Sequence, residues 1–189
     1  MSVCAEHDLC LIEDCAHTMG AKWDGKRSGN FGLVSAFSTQ TYKHINSGEG
    51  GFLVTNDDAV IAKAIVHSGS YMLYEKHASS PNSVIFDKVK LKTANFSGRM
   101  DNLRSSILIP QLEDLDNKVI KWNNLYKEIY DKLKTQDDIF IPNRDKREFY
   151  VGSSIQFRLQ GVLDNIIPDL FNNGTQRGVV LKWWGAKDP

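Results

Sequence analysis

The 189-residue chain is 41% hydrophobic, with 23 Lys+Arg set against 23 Asp+Glu. That is enough apolar material for a sizeable core, and the balanced charge leaves no global field to draw the chain onto nucleic acid or an anionic membrane. No apolar run approaches the roughly 18–20 residues that cross a bilayer. The opening stretch MSVCAEHDLCLIED lacks the basic region and long apolar core of a secretory signal. Cys4, Cys10 and Cys15 are odd in number and fit no CxxC-type metal spacing. They read as small thiols of a reducing cytosol, so the expected location is cytoplasmic and no metal site is expected.

In chain order, Asp8–Glu13 (DLCLIE) is an apolar run of strand length with Asp14 at its carboxyl end, the edge at which open α/β sheets bind ligands. Ala21–Gly32, with WDGK and RSGNFG, predicts turns and a hairpin. Leu33–Phe37 predicts a buried strand that delivers Ser38. Thr39–Gly51 reads as a polar loop too poor in apolar residues to join the core, and Phe52–Thr55 as a third strand of undetermined direction. A helix is predicted from Asp57 to about His67, capped by Asn56 or Asp57, with Val60, Ile61, Ala64 and Ile65 on its inner face. From Ser68 to Ser97 the periodicity fades into loop with room for a short helix.

Met100–Thr135 carries a long apolar stripe: Leu103, Ile107, Leu112, Leu115, Val119, Trp122, Tyr126, Ile129 and Leu133 recur at helical spacing. Pro110 should kink or split that helix. After a loop at Gln136–Arg147, the sequence predicts a strand at Tyr150–Leu159, a helix at Leu163–Asn173 and a last strand at Gly178–Trp183. This β-α-β tail suggests the start of a small α+β domain.

Taken singly, the polar residues of the first fifty are unremarkable in role. Lys43 would be a solvated loop lysine, Asp14 a turn acid, Ser38 a strand-end hydroxyl and His17 a structural histidine. Gathered at the ends of neighbouring strands they have a different meaning. A lysine in a crowded polar site can have its amine activated as a nucleophile towards an aldehyde. A carboxylate can keep a pyridinium nitrogen protonated so that the ring absorbs the electrons of a substrate carbanion. These are the two requirements of pyridoxal phosphate chemistry. Ser38 could donate to a phosphate, and His17 could reach the ring or its phenolic oxygen. The Gly48-Glu49-Gly50-Gly51 cluster matches neither GxGxxG nor the Walker pattern and reads as a tight turn.

The same residues carry a resemblance. Ile12-Glu13-Asp14-Cys15-Ala16-His17, then Gly25-Lys26, Gly29, Phe31-Gly32, Phe37-Ser38, Lys43 and Gly48-Glu49-Gly50-Gly51, resemble the core of the DegT/DnrJ/EryC1/StrS family of pyridoxal-phosphate-dependent sugar aminotransferases. Arg99-Met100 followed by Gln111-Leu112 and Leu115-Asp116 resembles that family's next block, so the likeness covers most of residues 9–135.

The resemblance implies an α/β fold: part of a type I aspartate-aminotransferase-like architecture with a mixed sheet and flanking helices. It divides the chain into a share of the large cofactor-binding domain (1–100), a long connecting helix (101–135) and a partial small C-terminal domain (136–189). It assigns Lys43 to the lysine that bonds the cofactor and shuttles the proton, Asp14 to the pyridinium partner, His17 to the ring's oxygen side and Ser38 to the phosphate. Asn95 corresponds to an asparagine that reaches the phosphate of the neighbouring subunit, although its spacing to Arg99-Met100 differs from the family's usual pattern. The presence of Lys43 sets the chain apart from the branch that replaces it by histidine for dehydration. The implied reaction moves an amino group, with glutamate as the expected donor, onto a nucleotide-linked keto sugar for surface-polysaccharide or secondary-metabolite sugars. A homodimer would complete the site.

The family also has an N-terminal glycine–threonine phosphate clamp and a stacking aromatic that these residues do not supply. The chain therefore reads as a fragment, and the competing expectation is a non-catalytic remnant or interaction module of the same fold.

Overall fold

The computed structural model describes residues 2–69 and 73–186. They fall into two compact units: Met1–Tyr126 with Arg144–Ser153, and Lys127–Asn143 with Ser154–Pro189.

The first unit is built on a mixed three-stranded sheet. Strand β1 is Ile12–Asp14; β2 (Lys22–Trp23) and β3 (Lys26–Arg27) form a hairpin; β4 is Val34–Ser38 and β5 is Gly51–Thr55. The sheet order is β1-β4-β5, with β1 parallel to β4 and β5 antiparallel to it, which supplies the direction the sequence left open. The register pairs Asp14 with Ala36 and Ser38 with Gly51. Strand β1 is shorter than expected, because Asp8–Leu11 pair with no strand; a short helix α1 (Ser2–Glu6) precedes them. The WDGK hairpin closes on Asp24 and Gly25 at φ 49° and 79°, the positive values that two-residue hairpin loops require.

Helix α2 (Asp58–Ser68) starts at Asp57, whose carboxylate accepts from the N–H groups of Ala59 and Val60, and stops at Gly69 in the left-handed conformation. Of the predicted inner face Val60, Ile61, Ala64 and Ile65, only Ile65 is fully buried; Ala62 and Val66 join it, while Val60, Ile61 and Ala64 are half-buried. The helix is apolar around most of its circumference, so the pattern alone does not choose the face. The stretch expected to be loop with room for a short helix holds the seven-residue helix α3 (Ser83–Val89), and residues 70–72 of it lie outside the described residues. Phe86 of α3 stacks on Tyr74 with ring centroids 3.6 Å apart, closing a core cluster with α2.

The predicted long helix is two helices, α4 (Asn102–Glu113) and α5 (Leu115–Leu133), broken at Asp114 rather than at Pro110. Pro110 removes one backbone donor, and the helix continues for less than a turn before Asp114 leaves helical geometry. On α4 it is Leu108 that enters the core, while Leu103, Ile107 and Leu112 of the predicted stripe are exposed. Leu108 packs with Leu115, Val119, Met19 and Ile45. Ile45, at 0% exposure, overturns the reading of Thr39–Gly51 as a loop outside the core. Burying one such side chain stabilises by about 1.5–3 kcal/mol.

In the second unit, β6 (Ile139–Phe140) pairs antiparallel with β8 (Arg158–Leu159), and helix α6 (Ile167–Gln176) follows. Pro168 lies in the first turn of α6, where its missing N–H has no intrahelical acceptor. The predicted strand at Tyr150–Leu159 is reduced to β8, and the expected strand at Gly178–Trp183 does not form. Strand β7 (Glu148–Phe149) belongs to the first unit and pairs with β2. No helix of the described residues is long and apolar enough to cross a membrane.

Candidate active site

Parallel pairing of β1 and β4 brings the carboxyl ends of both strands to one sheet edge. The N–H of Cys15 donates to the carbonyl of Ala36 at 2.9 Å, extending the ladder one residue past Asp14. Because side chains alternate along a strand, Asp14, Ala36 and Ser38 share a face and Glu13 takes the other. Asp14 is exposed, and its Oδ1 accepts from the N–H of Ala16 at 3.0 Å, which tightens the turn leading to His17. Ser38 Oγ accepts from the N–H of Gln40 at 3.3 Å, so its own proton is left to donate.

Lys43 stands on the loop between β4 and β5. That loop is closed on itself by bonds from Thr39 N–H to Gly50 O (2.9 Å), Thr41 N–H to Gly48 O (2.8 Å) and Ser47 N–H to Thr39 O (3.0 Å). The Lys43 Nζ lies 2.7 Å from His17 Nε2. An ammonium can only donate, so wherever Lys43 is the donor His17 Nε2 is the acceptor. Thus the sequence-predicted Lys43 and His17 are in direct contact, on the edge where Asp14 and Ser38 emerge. Asn95 is taken up elsewhere: its Oδ1 accepts from the N–H of Ser97 at 2.8 Å, within its own turn beside the end of α2.

Three residues with clear parts in this geometry carry no role in the sequence reading. Glu13 accepts from the N–H groups of Gly29 (2.8 Å), Phe31 (2.6 Å) and Gly32 (2.7 Å). Burial pushes its carboxyl up, but these three bonds and the Lys26 charge outweigh that effect and hold it below the ordinary 4.5. Gly29 is required here, because a Cβ on it would sit 2.6 Å from the Phe37 ring. His44 turns away from Lys43: its Nε2 lies 2.8 Å from Ser153 Oγ and its ring 5.4 Å from that of Trp122. Burial first, then the nearby His17 and Lys43, push its imidazole down, and its buried Nδ1 has no hydrogen-bond partner among the described residues. Gln111 on α4 binds both backbone groups of Asn46. The signal for Glu13 was present in principle, since strand alternation sets it opposite Asp14 and facing the glycine-rich loop. Nothing local in the sequence marks His44, and Gln111 enters only within the Gln111-Leu112 block of the family resemblance, with no role attached.

The site is an open edge rather than a closed cavity. A cleft of about 670 Å³ beside it is lined by Ala36, Gly51, Leu53, Arg99 and Met100 among others, without Lys43 or His17. Among the described residues no group of three or more His, Cys, Asp or Glu side chains could hold a metal ion.

A family model described as the DegT/DnrJ/EryC1/StrS aminotransferase family matches residues 1–175. The chain belongs to this family. GDP-perosamine synthase of Vibrio cholerae is 39% identical over 128 residues, which is 68% of this chain and 32% of that protein. The putative pyridoxal phosphate-dependent aminotransferase EpsN of Bacillus subtilis is 30% identical over 166 residues, 87% of this chain and 39% of that one. Among solved structures, the aminotransferase TlmJ from Streptoalloteichus hindustanus superposes with a TM-score of 0.77 at 18% identity, over 96% of this chain and 46% of that one. The α/β fold expected from the sequence is therefore that of the pyridoxal-phosphate-dependent aminotransferases. Enzymes of the DegT/DnrJ/EryC1/StrS family are sugar aminotransferases that use this cofactor. The chain spans about a third of the length of the curated relatives it matches.

Proposed function

We propose that this chain carries the lysine-bearing half of a pyridoxal phosphate site, and that it acts in a transaminase moving an amino group from glutamate onto a nucleotide-linked keto sugar. The work belongs to the making of surface-polysaccharide or secondary-metabolite sugars, in the cytoplasm, with a homodimer completing the pocket. The observation that carries the reading is the Lys43–His17 contact of 2.7 Å at the strand edge holding Asp14 and Ser38.

The donor set fits the cofactor. Asp14 has one carboxylate oxygen engaged with Ala16 and presents the rest to solvent, as a partner for a protonated ring nitrogen must. Ser38 keeps a free hydroxyl proton for a phosphate oxygen. Lys43 supplies the amine that bonds the aldehyde carbon. When bound, pyridoxal phosphate supplies an electron sink that stabilises charge on the substrate carbon next to nitrogen. Everything else falls to the protein. Lys43 Nζ would be the group that bonds the cofactor's aldehyde and, as a free amine, the base that moves the proton of the substrate carbon. His17 Nε2 accepts from that amine and sets its direction. Asp14 would hold the ring nitrogen in its protonated form.

The test is borohydride reduction of purified chain mixed with pyridoxal phosphate, followed by peptide mapping. The expected result is a visible absorbance band before reduction and a cofactor adduct on Lys43 after it, both lost in Lys43→Ala. Absence of the adduct at Lys43, even when the part of the family fold outside these 189 residues is supplied on a second chain, would sink the assignment. An oligomer that takes up no cofactor would favour the non-catalytic alternative.

A further inference from the structure

We infer that Gln111 is a positioning residue for Lys43: its carboxamide fixes the lysine loop to helix α4 so that the amine stays directed at His17. The inference rests on the reading of Lys43 as the cofactor-bonding lysine.

Three consecutive residues after Lys43 are held by three different parts of the first unit. His44 reaches Ser153 and the Trp122 ring. Ile45 is wholly buried against Met19, Leu108, Leu115 and Val119. Asn46 is held through its backbone alone: its N–H donates to Gln111 Oε1 at 3.0 Å, and its carbonyl accepts from Gln111 Nε2 at 2.8 Å. A primary carboxamide has one acceptor and one donor group side by side, so it can satisfy both backbone groups of a single residue, as a neighbouring strand would. The same Nε2 also donates to the Ile107 carbonyl at 2.9 Å, one turn back on α4, which fixes the amide's orientation on its own helix.

The geometry separates two jobs. Ile45 gives the loop its burial energy, but an isoleucine in an apolar pocket tolerates rotation and small shifts. The paired bonds at Asn46 define direction, because hydrogen bonds weaken steeply away from linearity. Lys43 lies three residues from that fixed point. Its own backbone N–H is held by the Gln40 carbonyl at 2.9 Å, so the segment carrying the lysine is fixed at Gln40 on one side and at Asn46 on the other. A carboxylate at position 111 could accept from the Asn46 N–H but would set a negative charge against the Asn46 carbonyl. A thioether could do neither.

The experiment compares wild type, Gln111→Met and Gln111→Glu by two measurements. The first is the ring ¹⁵N resonances of His17, which report whether Nε2 accepts from the Lys43 ammonium and need no cofactor. The second is the rate of borohydride-trapped pyridoxal phosphate on Lys43. Expected for Gln111→Met is a His17 Nε2 resonance moved to that of an imidazole without the ammonium donor, and trapping slowed about tenfold. Gln111→Glu should fall between it and wild type on both. Thermal melts accompany each variant; if the Met variant is unfolded, the Glu variant decides. His17 resonances and trapping rates unchanged from wild type in a folded variant would overturn the inference. If wild type itself forms no adduct on Lys43, the cofactor reading fails, and the His17 resonances alone still decide whether Gln111 directs the amine.

Discussion

Two segments of the chain invert what their compositions suggest. Thr39–Gly50 is polar and glycine-rich, yet Thr39 and Ile45 are wholly buried and the loop is tied at both ends and in the middle. Residues 178–184 are strongly apolar, with Val179, Val180, Leu181 and two tryptophans, yet Val180 is 90% exposed and Trp184 83% exposed, and no strand forms. Order here is set by the partners a segment finds. A single isoleucine placed over a waiting cluster does more than five apolar residues that pair with no strand.

The comparison can be broken most severely at its functional end. Lys43→Ala should abolish cofactor bonding altogether while leaving the melting temperature nearly unchanged, since the lysine is only half-buried and its contact is with one ring nitrogen. Borohydride trapping and a melt on the same sample check both halves. Next comes Ile45→Ala, which should cost about 2–5 kcal/mol of unfolding free energy because it leaves a cavity among Met19, Leu108, Leu115 and Val119. The matching Val180→Ala should stay within about 0.5 kcal/mol. Denaturant melts that gave the two variants equal losses would dissolve the contrast.

A smaller effect is expected from Glu13→Gln. Its amide keeps one acceptor but turns donors towards the N–H groups of the 29–32 loop, for a loss of about 1–2 kcal/mol at neutral pH. The sign with pH follows from a folded value held below 4.5. The unfolded chain binds the extra proton first on acidification, so this contribution is whole above pH 4.5 and is lost as pH falls through the lower folded value. The wild-type advantage over Glu13→Gln should therefore shrink in melts taken below pH 4.5. The smallest effect is at His44. Its folded value is also depressed, here below 6.5, and protonating a depressed histidine favours the unfolded chain. Stability should be full above pH 6.5 and decline as pH falls from there to the folded value. His44→Gln should flatten that decline; an unchanged slope would mean that the burial of His44 carries no proton linkage.

What could be read from the sequence was what local chemistry decides. Asp57 caps its helix because a short carboxylate before an apolar run has few other uses, and Asp24-Gly25 closes its hairpin because few residue pairs accept positive φ at both positions. Asp14, His17, Ser38 and Lys43 were legible as an ordered set of residue types. What was not legible depends on distant residues. Ile45 is buried because of side chains 26 positions before it and 63 or more after it. The inner face of α2 is chosen by Tyr74 and Phe86, since the helix itself is nearly uniform. Gln111 looks like any polar residue on a helix surface until the backbone of Asn46 is set against it.

The parallel register of β1 and β4 also acts as a sorter of charge. Two adjacent acids leave the same strand in opposite directions: Glu13 is consumed in holding the 29–32 loop, and Asp14 stands exposed at the edge with one oxygen engaged by the Ala16 N–H. Insertion of one residue within β1 would exchange them, turning the acid proposed for the cofactor inward and exposing the one the loop needs. The tolerance of this strand to length change should therefore be nil, while its tolerance to substitution at Ile12, 67% exposed, should be wide.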